Sequence, residues 1–99
     1  MKIDKVGYIY ILANHKNGTL YVGVTSDLKK RMREHKNNIT GGFSSKYDTK
    51  LLIYYEDCGN IENAILREKQ LKGGSRKRKI ELIESINPNW NDLHENIID

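Results

Sequence analysis

The chain predicts an α+β fold, a three-stranded antiparallel sheet flanked by three helices in the order β-β-α-β-α-α. Two runs of aromatic and β-branched residues flank a turn-rich segment near the start, and a third lies mid-chain. Three further stretches open on helix-capping residues. At 99 residues the chain has room for one domain, residues 1–99, with one modest core.

Gly7-Tyr8-Ile9-Tyr10-Ile11-Leu12 is the first strand, by its aromatic and β-branched content. Asn14-His15-Lys16-Asn17-Gly18 is turn chemistry, and Thr19 to Val24 is the returning strand. Side-chain alternation places Tyr8, Tyr10, Tyr21 and Gly23 on one face. A tight Asn17-Gly18 turn would set Tyr21 across from Asn14. A longer loop centred near His15 and Lys16 sets Tyr10 opposite Tyr21, and is preferred.

Ser26 or Asp27 caps a helix running to about Asn38. Gly41-Gly42 and Phe43 to Asp48 form a loop, and Lys50 to Glu56 is the third strand. The second helix starts near Asn60 and runs to about Lys72, ending at Gly73-Gly74. Ser75 caps the third, which Asn87-Pro88 stops.

Apolar residues make up 37% and charged residues 30%, with a mean hydropathy of −0.70, which excludes a disordered or membrane-embedded chain. The apolar run from Val6 to Ala13 is far short of the roughly 20 residues that span a bilayer, and carries no convincing cleavage site behind it. A single cysteine, Cys58, excludes an internal disulfide and a cysteine zinc cage, and points to a reducing cytoplasm. His15, His35 and His94 lie in unrelated places, so a three-histidine zinc site fails too.

The net charge of +4 conceals an asymmetry. Residues 1–80 hold 17 bases against 8 acids, and residues 81–99 hold five acids and no base. Two basic clusters suit a polyanion such as nucleic acid. Candidate contacts are Lys29, Lys30, Arg33 and Lys36, Lys46 in the loop, then Arg67, Lys72, Arg76 and Lys77. The alternative is a pair of solvated helix faces.

Helical phase adds a sharper signal. With about 100° per residue, Ile61, Ala64, Ile65 and Leu71 define the buried stripe of the second helix, and Glu68 falls at its centre. A carboxylate aimed at a core is costly unless a cation, a metal or several donors meet it. In the first helix Leu28, Met32 and Ile39 form the stripe, and His35 and Arg31 lean into it. Arg31 and Glu68 could instead form a buried ion pair, with His35 a satisfied core histidine. Polar groups gathered at core positions are what an active site requires.

Tyr8-Ile9-Tyr10, ten intervening residues, Tyr21-Val22-Gly23, then Arg31, His35 and Glu68 resemble the motif of the GIY-YIG nucleases. Ser44-Ser45-Lys46-Tyr47 and the segment from Asn87 to Leu93 resemble its small stand-alone bacterial branch, so the likeness spans about residues 6–93. It implies a metal-dependent endonuclease on a three-stranded antiparallel sheet, acting on DNA, with a place in DNA repair or recombination. Departures are the tyrosine at position 8 where the family has glycine, Leu20 and Val24 where some members carry lysine, and Ile80 where an asparagine is usual. Asn87 is the candidate stand-in for that asparagine.

On this likeness, Arg31 stabilises the transition-state phosphate, for which a fixed fork and permanent charge are suited. Glu68, the one inward carboxylate, is expected to hold a single Mg²⁺ or Mn²⁺, whose other ligands would be waters and a phosphate oxygen. Tyr10 is the candidate for activating water, assisted by His35, and Tyr21 orients or shares that role. The alternative function is a non-catalytic nucleic-acid-binding module on the same scaffold. No membrane partner is expected.

Overall fold

A computed structural model describes residues 6–37 and 49–97. Asn38, Ile39, the loop expected over 41–48 and its Lys46 lie outside the described residues. Strands β1 (Tyr8–Ala13), β2 (Leu20–Thr25) and β3 (Leu51–Asp57) form one antiparallel sheet in the order β2-β1-β3. Helices α1 (Leu28–Lys36), α2 (Ile61–Gly73) and α3 (Arg76–Ile86) complete the predicted α+β order, and a 3-10 turn at Leu93–Ile97 follows. Among the described residues no helix is long and apolar enough to cross a membrane.

Local chemistry sets the helix starts. Asp27 accepts from the Lys30 amide at 3.1 Å, Asn60 from that of Asn63 at 2.8 Å and Ser75 from that of Arg78 at 3.1 Å, each satisfying an orphan N–H of its first turn.

The hairpin keeps the expected parity but not the expected register. Tyr10 lies opposite Gly23 rather than Tyr21, which pairs with Leu12. The reason is the loop. Asn14 Oδ1 accepts from the Thr19 amide at 2.9 Å, and Asn17 takes a left-handed φ of 60°. Arg76 on α3 donates to the carbonyls of Asn17 and Gly18, at 2.8 and 2.6 Å. This side-chain-built loop lies closer to β2 than the one expected, and moves β2 by two residues, so every side chain stays on its face.

The sheet separates two cores. One face packs Ile9, Ile11, Val22 and Ile53 against Ala64 and Leu71 of α2, Ile83 of α3 and Trp90. The other packs Tyr10, Leu12 and Leu52 against Leu28 and Met32 of α1, with Tyr8, Tyr21, Tyr55 and Leu93 partly buried around them. The α2 stripe is narrower than expected: Ala64 and Leu71 are buried, while Ile65 is 39% exposed. The helix rests mainly on β1 and β2, and its buried line, through Ala64 and Leu71, passes between Arg67 and Glu68, both partly buried, and away from Ile65.

The C-terminal segment is stitched on by polar side chains. Asn87 Nδ2 donates to the carbonyls of Ile53 and Asn91, each at 2.9 Å, and its Oδ1 accepts from the Asn91 amide at 3.0 Å. Asn87 is thereby committed to backbone groups. Asp92 accepts from the Leu52 amide at 3.1 Å, covering an edge donor of β3, and pairs with Lys36 at 2.6 Å.

Candidate active site

Three rings meet on the α1 face of the sheet. Parity puts Tyr10 and Tyr21 there, and α1 delivers His35 one turn beyond Met32. The ring centroids of Tyr10 and Tyr21 are 6.3 Å apart, those of Tyr10 and His35 5.6 Å, and those of Tyr21 and His35 5.7 Å. Tyr10 Oη and His35 Nε2 share a hydrogen bond of 3.1 Å, and Tyr21 also hydrogen-bonds the Tyr10 hydroxyl. Tyr10 and His35 are almost fully buried, at 1% and 2% exposure.

Burial governs both titrations. It pushes the Tyr10 hydroxyl well above the ordinary tyrosine range, helped by Tyr21 and by the charge of Glu68, against the pull of Arg31. It also lowers the imidazole of His35, as does the neighbouring Arg31 charge, with Glu34 opposing. A buried neutral histidine therefore faces a buried neutral phenol.

Arg31 lies on α1 and Glu68 on α2, and the charges of both bear on the Tyr10 hydroxyl. They do not pair with each other. Arg31 Nε meets Glu34 at 3.4 Å, and Glu68 meets Lys72 at 3.2 Å. The buried Arg31–Glu68 ion pair considered from the sequence is thus not formed. Glu68 keeps 17% side-chain exposure, and a polar cavity of about 150 Å³ beside Arg31 is lined by Thr25, Ser26, Lys30 and Glu34.

The roles of two residues escaped sequence reasoning, although Gly23 was placed on the tyrosine face. Gly23 lets the Tyr10 ring lie against the β2 backbone, a role signalled by glycine inside a strand pattern. Glu34 steadies Arg31, three residues earlier on the same helix.

Lys29, Lys30 and Arg33 lie exposed on α1, and Lys72, Arg76 and Lys77 are exposed on α2 and α3. Lys36 is paired with Asp92, and Arg67 with Glu56 at 3.0 Å. Arg76 spends one nitrogen on the hairpin loop.

Comparison with known proteins places the chain in a family. The family model described as the GIY-YIG catalytic domain matches residues 6–81. A UPF0213 protein of Clostridium perfringens is 34% identical over 80 residues, covering 81% of this chain and 85% of that protein. One from Staphylococcus saprophyticus is 38% identical over 81 residues, covering 77% and 92%. The solution NMR structure of a UPF0213 protein from Bacillus halodurans shares the fold, with a TM-score of 0.56 and 22% identity over 95% of this chain and 99% of that one. The chain belongs to the GIY-YIG family, that of a nuclease catalytic domain, and is similar over about four-fifths of its length to small UPF0213 proteins.

Proposed function

We propose that this chain is a metal-dependent endonuclease that hydrolyses phosphodiester bonds in DNA. The observation that carries the reading is the buried hydrogen bond between Tyr10 Oη and His35 Nε2, set in the charges of Arg31 and Glu68.

A standing Tyr10 phenolate is disfavoured by burial, so Tyr10 serves as a relay. The attacking water gives a proton to Tyr10 Oη as the Tyr10 proton passes to His35 Nε2. The resulting hydroxide forms its bond to phosphorus as the P–O bond to the leaving sugar oxygen breaks, that oxygen taking a proton from solvent. The lowered basicity of His35 keeps it neutral and able to accept near neutral pH. Tyr21 orients the Tyr10 hydroxyl. Arg31, partly exposed at the rim, meets the charge that develops on the phosphate.

The donor set fits a hydrated hard cation. Among the described residues no three His, Cys, Asp or Glu side chains cluster, and Glu68 is a half-buried oxygen donor near the relay. Glu68 would hold Mg²⁺ or Mn²⁺, with waters retained as Mg²⁺ prefers. When bound, the ion supplies Lewis-acid charge at the phosphate and leaving oxygen. Lys29, Lys30 and Arg33, with Lys72, Arg76 and Lys77, supply exposed positive charge for the backbone.

A cleavage panel of single-stranded, duplex, flap and junction DNA, with Mg²⁺, Mn²⁺ or EDTA, tests the reading. Metal-dependent nicking that is lost in Tyr10→Phe and Glu68→Gln is expected. Binding with no cleavage under any metal would replace it with a non-catalytic binding module.

A further inference from the structure

Arg67 immediately precedes Glu68, and its guanidinium is engaged. Its Nε donates to Glu56 Oε2 at 3.0 Å and its Nη2 to Glu56 Oε1 at 3.3 Å, a fork-on-carboxylate bridge from α2 to β3. Its Nη1 donates to Gln70 Oε1 at 2.6 Å, within the same helix. The Tyr54 hydroxyl donates to Glu56 Oε1 at 2.7 Å, and the Cys58 thiol lies 3.8 Å from Oε2. Glu56 is the register partner of Ile9, on the face that packs α2. Burial alone would raise its carboxyl. Hydrogen bonds from Tyr54 and Arg67 outweigh that and hold it below the usual range.

The bridge has mechanical consequences. The buried contacts of α2 are few, Ala64 and Leu71, and the helix rests mainly on β1 and β2. A helix seated on so narrow a stripe is poorly held against rolling about its axis. Arg67 and Glu68 project about 100° apart, so tying Arg67 to β3 sets the direction of Glu68. With side-chain ends about 6 Å from the axis, a roll of about 20° would move the carboxylate by about 2 Å. Misplacements of about 1 Å can cost about a hundredfold in rate.

We propose that the Arg67–Glu56 bridge is the positioning device for Glu68, locking the rotation of α2 so that the carboxylate faces Tyr10. The proposal rests on the nuclease reading above. It makes Arg67 a positioning residue and removes it from the DNA-contacting set.

Glu56→Gln separates this role from phosphate contact, because the substituted residue is an acid. Positioning predicts that Glu56→Gln and Arg67→Lys each lower kcat about tenfold or more. KM and the salt slope of DNA binding stay unchanged, and the double variant is no worse than the poorer single. Mn²⁺-induced broadening of the Glu68 amide signal should also require more Mn²⁺ in each variant. Phosphate contact predicts instead that Glu56→Gln releases the guanidinium, tightens DNA binding and steepens the logarithmic salt slope by about 0.9. That result overturns the proposal, as does wild-type kcat in folded Glu56→Gln. If the wild type cleaves nothing, the nuclease reading falls and the bridge is judged without turnover. Faster hydrogen exchange around Glu68 in Glu56→Gln, at unchanged salt slope, supports it; unchanged exchange or a steeper slope overturns it.

Discussion

The ring of Tyr10 lies directly against the backbone of Gly23. A Cβ at residue 23 would stand 2.6 Å from Tyr10 Cε2 and closer still to Cζ and the hydroxyl. The pairing of Tyr10 with Gly23 across β1 and β2 creates this contact, and hydrogen bonds to His35 and Tyr21 hold the phenol there.

Gly23→Ala should therefore damage both stability and activity. The added methyl meets an aromatic ring that is 1% exposed and has no solvent to move into. Overpacking of this kind costs about 1–3 kcal/mol, readable by urea unfolding. Cleavage by the folded variant should fall by about a hundredfold as the hydroxyl is displaced. Unchanged stability and rate would show that the ring can retreat freely.

The imidazole of His35 should give the protein an acid-sensitive stability. Its folded pKa is depressed by burial first and by Arg31 second, against Glu34. Above about pH 6.5, the ordinary histidine value, both folded and unfolded forms are neutral and stability is at its plateau. As pH falls below that value, the unfolded chain takes up a proton that the folded protein resists, and stability declines until the folded pKa is passed. His35→Gln should remove this contribution and lower cleavage by about 10²–10⁴-fold. An NMR titration of the His35 ring with a midpoint at or above 6.5 would contradict the account.

Glu68→Gln should abolish metal-dependent cleavage while leaving metal-free stability nearly unchanged. Its ion-pair partner Lys72 is 53% exposed, and a screened surface pair contributes about 0–1 kcal/mol. A carboxylate that served as a buried structural charge would instead cost about 3–5 kcal/mol when neutralised. Metal-free thermal melts distinguish the two, and a large drop in Tm would reopen the structural role.

Lys30 and Lys36 should differ although six residues separate them on one helix. Lys30→Ala should reduce the logarithmic salt slope on duplex DNA by about 0.9 with little change in stability. Lys36→Ala should leave the slope and loosen the C-terminal turn, since Lys36 holds Asp92 against β3. Asp92→Ala should be costlier, about 1–3 kcal/mol, because it also strands the two backbone amides that donate to Oδ1. Burial would raise the Asp92 carboxyl, but Lys36 and those amides hold it low. Its contribution is therefore present at neutral pH and lost as pH falls through its folded pKa. Salt-dependent binding and urea unfolding of the three variants check this.

Much of this molecule is local chemistry, and so was readable from residue order. Asp27, Asn60 and Ser75 start helices because their side chains reach their own helix amides. Strand alternation alone puts Tyr8, Tyr10, Tyr21 and Gly23 on one face, and a helical period alone turns His35 and Glu68 inward. Tertiary structure decided what those periods cannot encode. The hairpin register depended on Asn14 closing the loop and on Arg76 arriving from α3. Which acid meets which base depended on elements distant in the chain: Asp92 claims Lys36, Glu56 claims Arg67, and Arg31 and Glu68 keep separate partners. Periodicity specifies a direction from a helix or strand. Pairing requires two such directions to meet in space, and that is set only when the elements pack.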